Sequence, residues 1–269
     1  MYATDLGGQV WRFDILNGQD PSNLVTGGVI AQLGAEGVSG TPTADETRRF
    51  YNAPDVSLIT DNQQQRRYIA ISVGSGYRAH PFDLSAADRF FSLRDGDVFN
   101  QLPQTAYDSY SIIKDSDLVE VSGQTQTVIT SSDRGWKFTL PMNEKILAES
   151  ITFDDQIFFV SFTPDSNAAA TCSAGKGTNF LYRMSAINGD PIVPNIDTLD
   201  PLISDIERRT TLQQGGIAPS PTILFPSPDP NCTGDDCKQP PLGCVGVECF
   251  DPGFKNNPVR TLWTQDGIE

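Results

Sequence analysis

His80 is the only histidine in the chain, so any Ser-His-Asp relay would have to be built on it. It stands beside Pro81 in a stretch with loop character, and no nucleophile-elbow pattern occurs anywhere in the sequence. A structural or exposed imidazole is expected, not a general base. Gly74-Ser75-Gly76 invites comparison with a phosphate cradle. Such a loop needs a Lys-Ser/Thr ending and a helix opening behind it, and neither follows; the three residues read as a turn. Two acid pairs, Asp95 with Asp97 and Asp115 with Asp117, have the alternate spacing of a cation loop. A full calcium loop requires Asp-x-Asp/Asn-x-Asp/Asn-Gly, which the sequence lacks, so both pairs read as solvated loop acids. No residue is assigned to catalysis, to a cofactor or to a metal.

Cysteine chemistry is the stronger signal. The five cysteines are Cys172, Cys232, Cys237, Cys244 and Cys249. The last four form two pairs with four residues between partners. That spacing is open to a four-thiolate zinc site, but the surroundings are loop-like and rich in proline, as in disulfide-clipped exported loops. Disulfides are favoured. Of the three connectivities available, the short-loop pairing Cys232–Cys237 and Cys244–Cys249 is the simplest. Cys172 is then left over, to pair outside this chain or to displace one of the four.

The elements that would carry these residues are short strands. Glycine (23) and proline (19) are abundant, long amphipathic helical patterns are nearly absent, and brief apolar runs bounded by Gly, Asn and Asp recur. The first unit, Tyr2 to Gly18, turns at Gly7-Gly8 and then alternates, with Trp11 and Phe13 on one face and Arg12 and Asp14 on the other. The second, Tyr68 to Asp97, has a strand through Ile69, Ile71 and Val73, a short helix capped by Ser85 over Ala86 to Asp88, and a returning strand at Phe90 to Leu93. The third, Thr127 to Leu147, starts a strand at Val128 and Ile129 and returns at Trp136 to Leu140. The fourth runs from Ile157 to Ile192. The four form a decayed repeat. Units that cannot bury their faces alone must stack, which predicts blades of an incomplete, modified β-propeller with long loops and quinoprotein-like blades; a β-sandwich built from repeated hairpins is the competing arrangement. Trp11, Trp136 and Trp263 are expected in the packing between blades. Residues 1–218 are expected to hold the blades, and 219–269 a Pro- and Cys-rich loop ending in a strand at Val259 to Trp263.

With 38% hydrophobic and 20% charged residues the composition is that of a globular chain. No run approaches the roughly 20 apolar residues of a membrane helix, so no membrane insertion is expected. A formal charge of −15 opposes nucleic acid and anionic lipid, whose phosphates require Lys and Arg. Met1 leads straight into a strand pattern with no basic and apolar leader. The expectation is either a cytoplasmic protein or a piece of a longer one, and the motifs favour the piece.

Those motifs are YATDLGGQVWRFDI, GSGYRAHPFD with DRFFSLRD, SSDRGWKFTL with EKILAESITFDDQIFFVSFTP, and the closing GIAPSPTILF, CVGVECF and RTLWTQDG. In this order, over nearly the whole chain, they resemble the C-terminal domain of the PilC/PilY family of type IV pilus biogenesis and tip-adhesin proteins. The resemblance implies a propeller domain that acts by binding and not by catalysis. It implies support of pilus extension and surface attachment, with minor pilins, the pilus tip and a host or abiotic surface as partners. The implied location is exported: periplasm, outer surface or pilus tip. Family members commonly add a von Willebrand A-like region and a calcium loop upstream of the segment matching Tyr2 to Asp14, so calcium is expected only in a full-length protein. No Arg-Gly-Asp tripeptide is present, and no integrin-binding loop is carried over. Two other readings remain: a quinoprotein-like dehydrogenase propeller, for which no cofactor motif or vicinal cysteine pair is present, and an outer-membrane assembly scaffold.

Overall fold

The computed structural model describes residues 1–21, 23–35, 46–97, 100–122, 128–165, 176–192, 208–226 and 240–254. In chain order its strands are β1 (Tyr2–Thr4), β2 (Gln9–Ile15), β3 (Val25–Gln32), β4 (Asp55–Asp61), β5 (Arg66–Gly74) and β6 (Arg89–Asp95). A short helix α1 (Gln104–Asp108) precedes β7 (Ile113–Lys114), β8 (Val119–Glu120), β9 (Gly135–Thr139), β10 (Lys145–Ile146), β11 (Ile151–Phe153), β12 (Gln156–Thr163) and β13 (Thr178–Ser185). The last are β14 (Arg209–Leu212), β15 (Thr222–Leu224), β16 (Leu242–Val245) and β17 (Glu248–Phe250). They form four sheets: β1-β2-β3-β7, then β4-β5-β6-β9-β8, then β10-β12-β13-β14 with β11 also on β12, then β15-β16-β17.

The alternation of apolar residues on both faces dictates how these sheets stack. Val10, Ile30, Ala31 and Leu33 of the first sheet and its loop pack against Ile71, Val73, Phe91 and Leu93 of the second. The opposite face of the second sheet, with Tyr68, Ala70, Phe90, Trp136 and Phe138, packs against Ile157, Phe159, Tyr182 and Met184 of the third. The third sheet's other face, Phe158, Val160 and Leu181, meets Ile223, Val245 and Phe250 of the fourth. The two middle sheets are thus buried on both faces, as blades are in a propeller, and among the described residues no barrel closes. At the second junction Phe90 stacks on Phe159 at 4.1 Å, and Phe159 on Tyr182 at 4.6 Å, so three rings form one continuous stack. The all-β, propeller-like expectation holds.

Four sequence expectations are corrected. The third unit is not a separate blade: β9 pairs antiparallel with β6, Phe90 opposite Phe138 and Ser92 opposite Trp136, so it completes the second sheet. Val128 and Ile129 lie outside any strand, because the Asp133 carboxylate accepts from Thr130 N at 2.6 Å and closes a loop ahead of Gly135. No helix forms over Ser85 to Asp88; Ser85 N donates to Asp83 Oδ1 at 2.9 Å and Asp88 is drawn inward. Trp136 is fully buried between sheets, but Trp11 is only half-buried, stacked on Phe13 with centroids 6.1 Å apart on the face of the first sheet turned away from the second. Trp263 and the strand expected at Val259 to Trp263 lie outside the described residues.

Candidate functional site

Charged side chains cluster where sheets meet. In the first junction Arg12 of β2 is buried and uses all of its donor groups. Nη1 donates to Asp95 Oδ2 at 2.8 Å, Nε and Nη2 to the two oxygens of Asp14 at 3.1 and 3.0 Å, and Nη2 also to Asn100 O at 2.6 Å. Tyr2 and Tyr107 complete the cluster, donating to Asp95 at 2.7 Å and Asp14 at 2.8 Å. Burial alone would raise the Asp14 carboxyl, but donors from Leu102 N, Arg12 and Tyr107 outweigh it and hold the group below the usual carboxylate range. Burial, and then the bond to Asp95, push the Tyr2 phenol well above its ordinary value.

A second cluster sits on the strap that links the first two sheets. β7 pairs parallel with β3 and β8 parallel with β9, so residues 113–120 cross from one sheet to the other. At the crossing Asp115, 0% exposed, forms ion pairs with Arg89 of β6 and Lys137 of β9 and lies 3.8 Å from Arg48; Lys137 Nζ also donates to Asp115 O at 2.8 Å. Asp95 and Asp115 are therefore not the solvated loop acids expected: each is buried and ion-paired, while Asp97 and Asp117 are exposed. Each reaches into a sheet junction from the end of its element, so a partner from another strand, invisible in local sequence, takes it out of water.

At the second junction Glu144 is buried with Arg209 as its ion pair and accepts from Ser161 Oγ at 2.5 Å and Tyr182 OH at 2.6 Å. Burial raises its carboxyl above the ordinary value, with Ser161, Tyr182 and Arg209 opposing the rise. Gly74-Ser75-Gly76 belongs here as well and is a contact, not a turn. Ile146 N donates to Ser75 O at 2.9 Å, and a Cβ on Gly74 would lie 2.5 Å from the Ile146 side chain, one on Gly76 2.3 Å from Ile146 O. Ser75 Oγ donates to Asp88 at 2.7 Å and accepts from Arg89 N at 2.9 Å. Burial pushes the Asp88 carboxyl up to about 6, with Ser75 and Lys145 opposing the rise.

His80 is exposed, tilted against Tyr77 at 6.0 Å between centroids, with Arg49 4.1 Å over the same Tyr77 ring. Neither a serine nor a carboxylate is hydrogen-bonded to it among the described residues. An open, polar concavity of about 550 Å3 lies at the β4–β5 hairpin, lined by Thr60, Asp61, Asn62, Gln65, Arg66 and Arg67; it brings no nucleophile and base together. Among the described residues no group of three or more His, Cys, Asp or Glu is placed to hold a cation, and no helix is long and apolar enough to cross a membrane.

Cys244 and Cys249 form a disulfide across the β16–β17 hairpin, where they are direct register partners with Cα atoms 4.0 Å apart. With these two sulfurs bonded to each other, a zinc site using all four tail cysteines is excluded. Cys172, Cys232 and Cys237 lie outside the described residues. The hairpin is tied down by Glu248, which accepts from Gln213 N and Gln214 N at 2.9 and 2.7 Å, and by Arg183, which donates to Pro252 O at 2.6 Å.

Among solved structures the chain is similar to the C-terminal domain of PilY1 from Pseudomonas aeruginosa. The TM-score is 0.58 at 16% identity, over 94% of this chain and 57% of that one. No family model matches the chain, and no curated protein does. The chain has the propeller-like fold of that domain and spans a little over half of its length.

Proposed function

We propose that this chain is a binding module of the type IV pilus system, a biogenesis and tip-associated adhesin domain that supports pilus extension and surface attachment. The observation that carries the reading is the fold shared with the PilY1 C-terminal domain over 94% of the chain, together with the ordered family-like motifs from Tyr2 to Gly267. The charged groups give the same direction. Arg12 and Asp115 are consumed by ion pairs where sheets meet and Glu144 by one within the third sheet, an arrangement that serves packing, and among the described residues no nucleophile is hydrogen-bonded to a base. The module acts by binding, with minor pilins and the pilus tip as its assembly partners and a host or abiotic surface as its target. Its compartment is exported (periplasm, outer surface or pilus tip), in keeping with the Cys244–Cys249 bridge, since disulfides persist in oxidising compartments.

The test is genetic. Deleting the encoding gene should reduce surface pili and twitching motility. Removing the retraction motor as well should restore pili, because extension would then no longer be outpaced. Wild-type piliation in the deletion strain, or dehydrogenase turnover by the purified chain supplied with quinone, calcium and alcohols, would overturn the reading.

A further inference from the structure

The β4–β5 hairpin turns through Asp61-Asn62-Gln63-Gln64-Gln65-Arg66-Arg67, a carboxylate, four amides in a row and two guanidiniums. Asp61 Oδ1 accepts from Gln63 N and Gln64 N, both at 3.0 Å, and so closes the turn. Its other oxygen, Oδ2, is buried and has no hydrogen-bond partner; the residue is 1% exposed. Gln64 repeats the pattern. Its Nε2 donates to Ile129 O at 2.5 Å, while its Oε1 is buried and unpartnered, as is Arg66 Nε. Buried polar atoms are normally paired. Unpaired ones gathered in one turn are what a site built around another molecule's hydroxyl groups presents on its own.

Asp61 lines two hollows, together with Thr60 and Asn62. One is the concavity of about 550 Å3 at the hairpin; the other, of about 280 Å3, lies between the turn and Asp155, Ser185 and Asn188 of the third sheet and its turns. The amides of Asn62, Gln63 and Gln65 are exposed, and among the described residues none of them holds a hydrogen bond. Charge and polarity then select the ligand. Asp61 and Asp155 oppose an anion. Arg66 and Arg67 oppose a cation. Arg94 adds to that opposition, because the charges of Asp61 and Arg94 are felt by each other, yet its two Nη groups are spent on Thr130 O and Ile187 O at 3.0 and 2.8 Å. Ile187 is the one apolar residue in either lining, so an apolar ligand gains little. A neutral molecule dense in hydroxyls remains. Each hydroxyl both donates and accepts, giving to Asp61 Oδ2 and Gln64 Oε1 and taking from Arg66 Nε and the free amides. We propose that the β4–β5 turn is a binding site for a neutral sugar, with Asp61 as its central acceptor. Its setting rests on the adhesin reading above, in which the sugar is displayed by the surface to which the pilus attaches.

The probes are the methyl glycosides of glucose, galactose, mannose and N-acetylglucosamine, each titrated into the whole purified chain and followed by saturation-transfer NMR. Saturable binding of at least one is expected, with a Kd of about 1–10 mM. Asp61→Asn should weaken it at least about tenfold, since Oδ2 is replaced by a donor while an oxygen remains to close the turn. Asn62→Ala, on an exposed side chain, should weaken it about threefold. Urea midpoints matching the parent's keep a folding defect separate from a binding defect. Glucosamine and glucuronate, carrying one charge each, should bind no tighter than the best neutral sugar. No saturation by about 50 mM of any neutral glycoside, which would leave the unpaired groups to water, would overturn the proposal. So would undiminished binding by D61N, or a charged sugar bound more tightly than every neutral one. Sugar binding is read on the purified chain and piliation on the deletion strain, so failure of the site and failure of the pilus reading are told apart.

Discussion

At the scale of single residues, the chain uses its buried charges to join sheets. Arg12 satisfies Asp14 and Asp95 at once, and truncating it would strand two carboxylates in a water-poor junction. Arg12→Met should destabilise the fold by about 3–5 kcal/mol, and Arg12→Lys by less, since a lysine keeps the charge but loses the fork geometry; urea denaturation measures both. Asp88 makes the opposite kind of prediction. Its carboxyl is pushed up to about 6, above its unfolded value, so the folded state holds the proton more tightly. Its contribution to stability is complete below about pH 4 and is lost as the pH rises through about 6, amounting to roughly 3 kcal/mol at most. Asp88→Asn should flatten the decline in stability between pH 4 and 7 relative to the parent, and an unchanged pH profile would refute that assignment.

At the scale of elements, what was legible followed local pattern. The β1–β2 hairpin was readable from Asp5 to Trp11. Gly8 takes φ +73° at the turn, and the Asp5 carboxylate accepts from Gly7 N, Gln9 N and Trp11 Nε1 at 2.9, 3.0 and 2.9 Å. The β5–β6 and β12–β13 pairs were readable from their apolar runs. β3 was not, because Gly27-Gly28 in its middle looks like a turn. It is a strand because Gly27 passes Phe13, where a Cβ would stand 2.6 Å from the ring, and Gly28 faces Tyr107. The strap was illegible for a different reason: each of its two strands is two residues long, and Asp115 is explained only by Arg89 and Lys137, far away in sequence. Gly74-Ser75-Gly76 was misread likewise, since its constraint is Ile146 on another sheet. Gly74→Ala should cost about 1–3 kcal/mol through that overlap, while alanine at the exposed Gly96, where nothing lies within 4 Å of the added carbon, should change the urea midpoint little. The disulfide acts on one hairpin. A closed loop this short removes little unfolded-state entropy. Cys249→Ser should therefore speed amide exchange and proteolysis within residues 240–254 and move the global midpoint only slightly.

At the scale of the whole molecule, four sheets stacked face to face in chain order leave the first sheet's outer side, with Trp11, Phe13, Ile15 and Val25, partly open. A chain whose charged groups lock sheets together and whose first sheet keeps a partly apolar outer face is suited to be one part of a larger assembly. The PilY1-like fold gives that assembly its proposed identity as the type IV pilus. The most direct measurement is quantitative mass spectrometry of pili sheared from intact cells, compared with cytosolic and periplasmic fractions of the same culture. The account predicts tryptic peptides of this chain enriched with pilin in the sheared fraction, the Cys244–Cys249 peptide oxidised, and both lost when pilus assembly is blocked. Recovery of the chain wholly in the cytosol, with those thiols free and its level independent of the pilus, would contradict it.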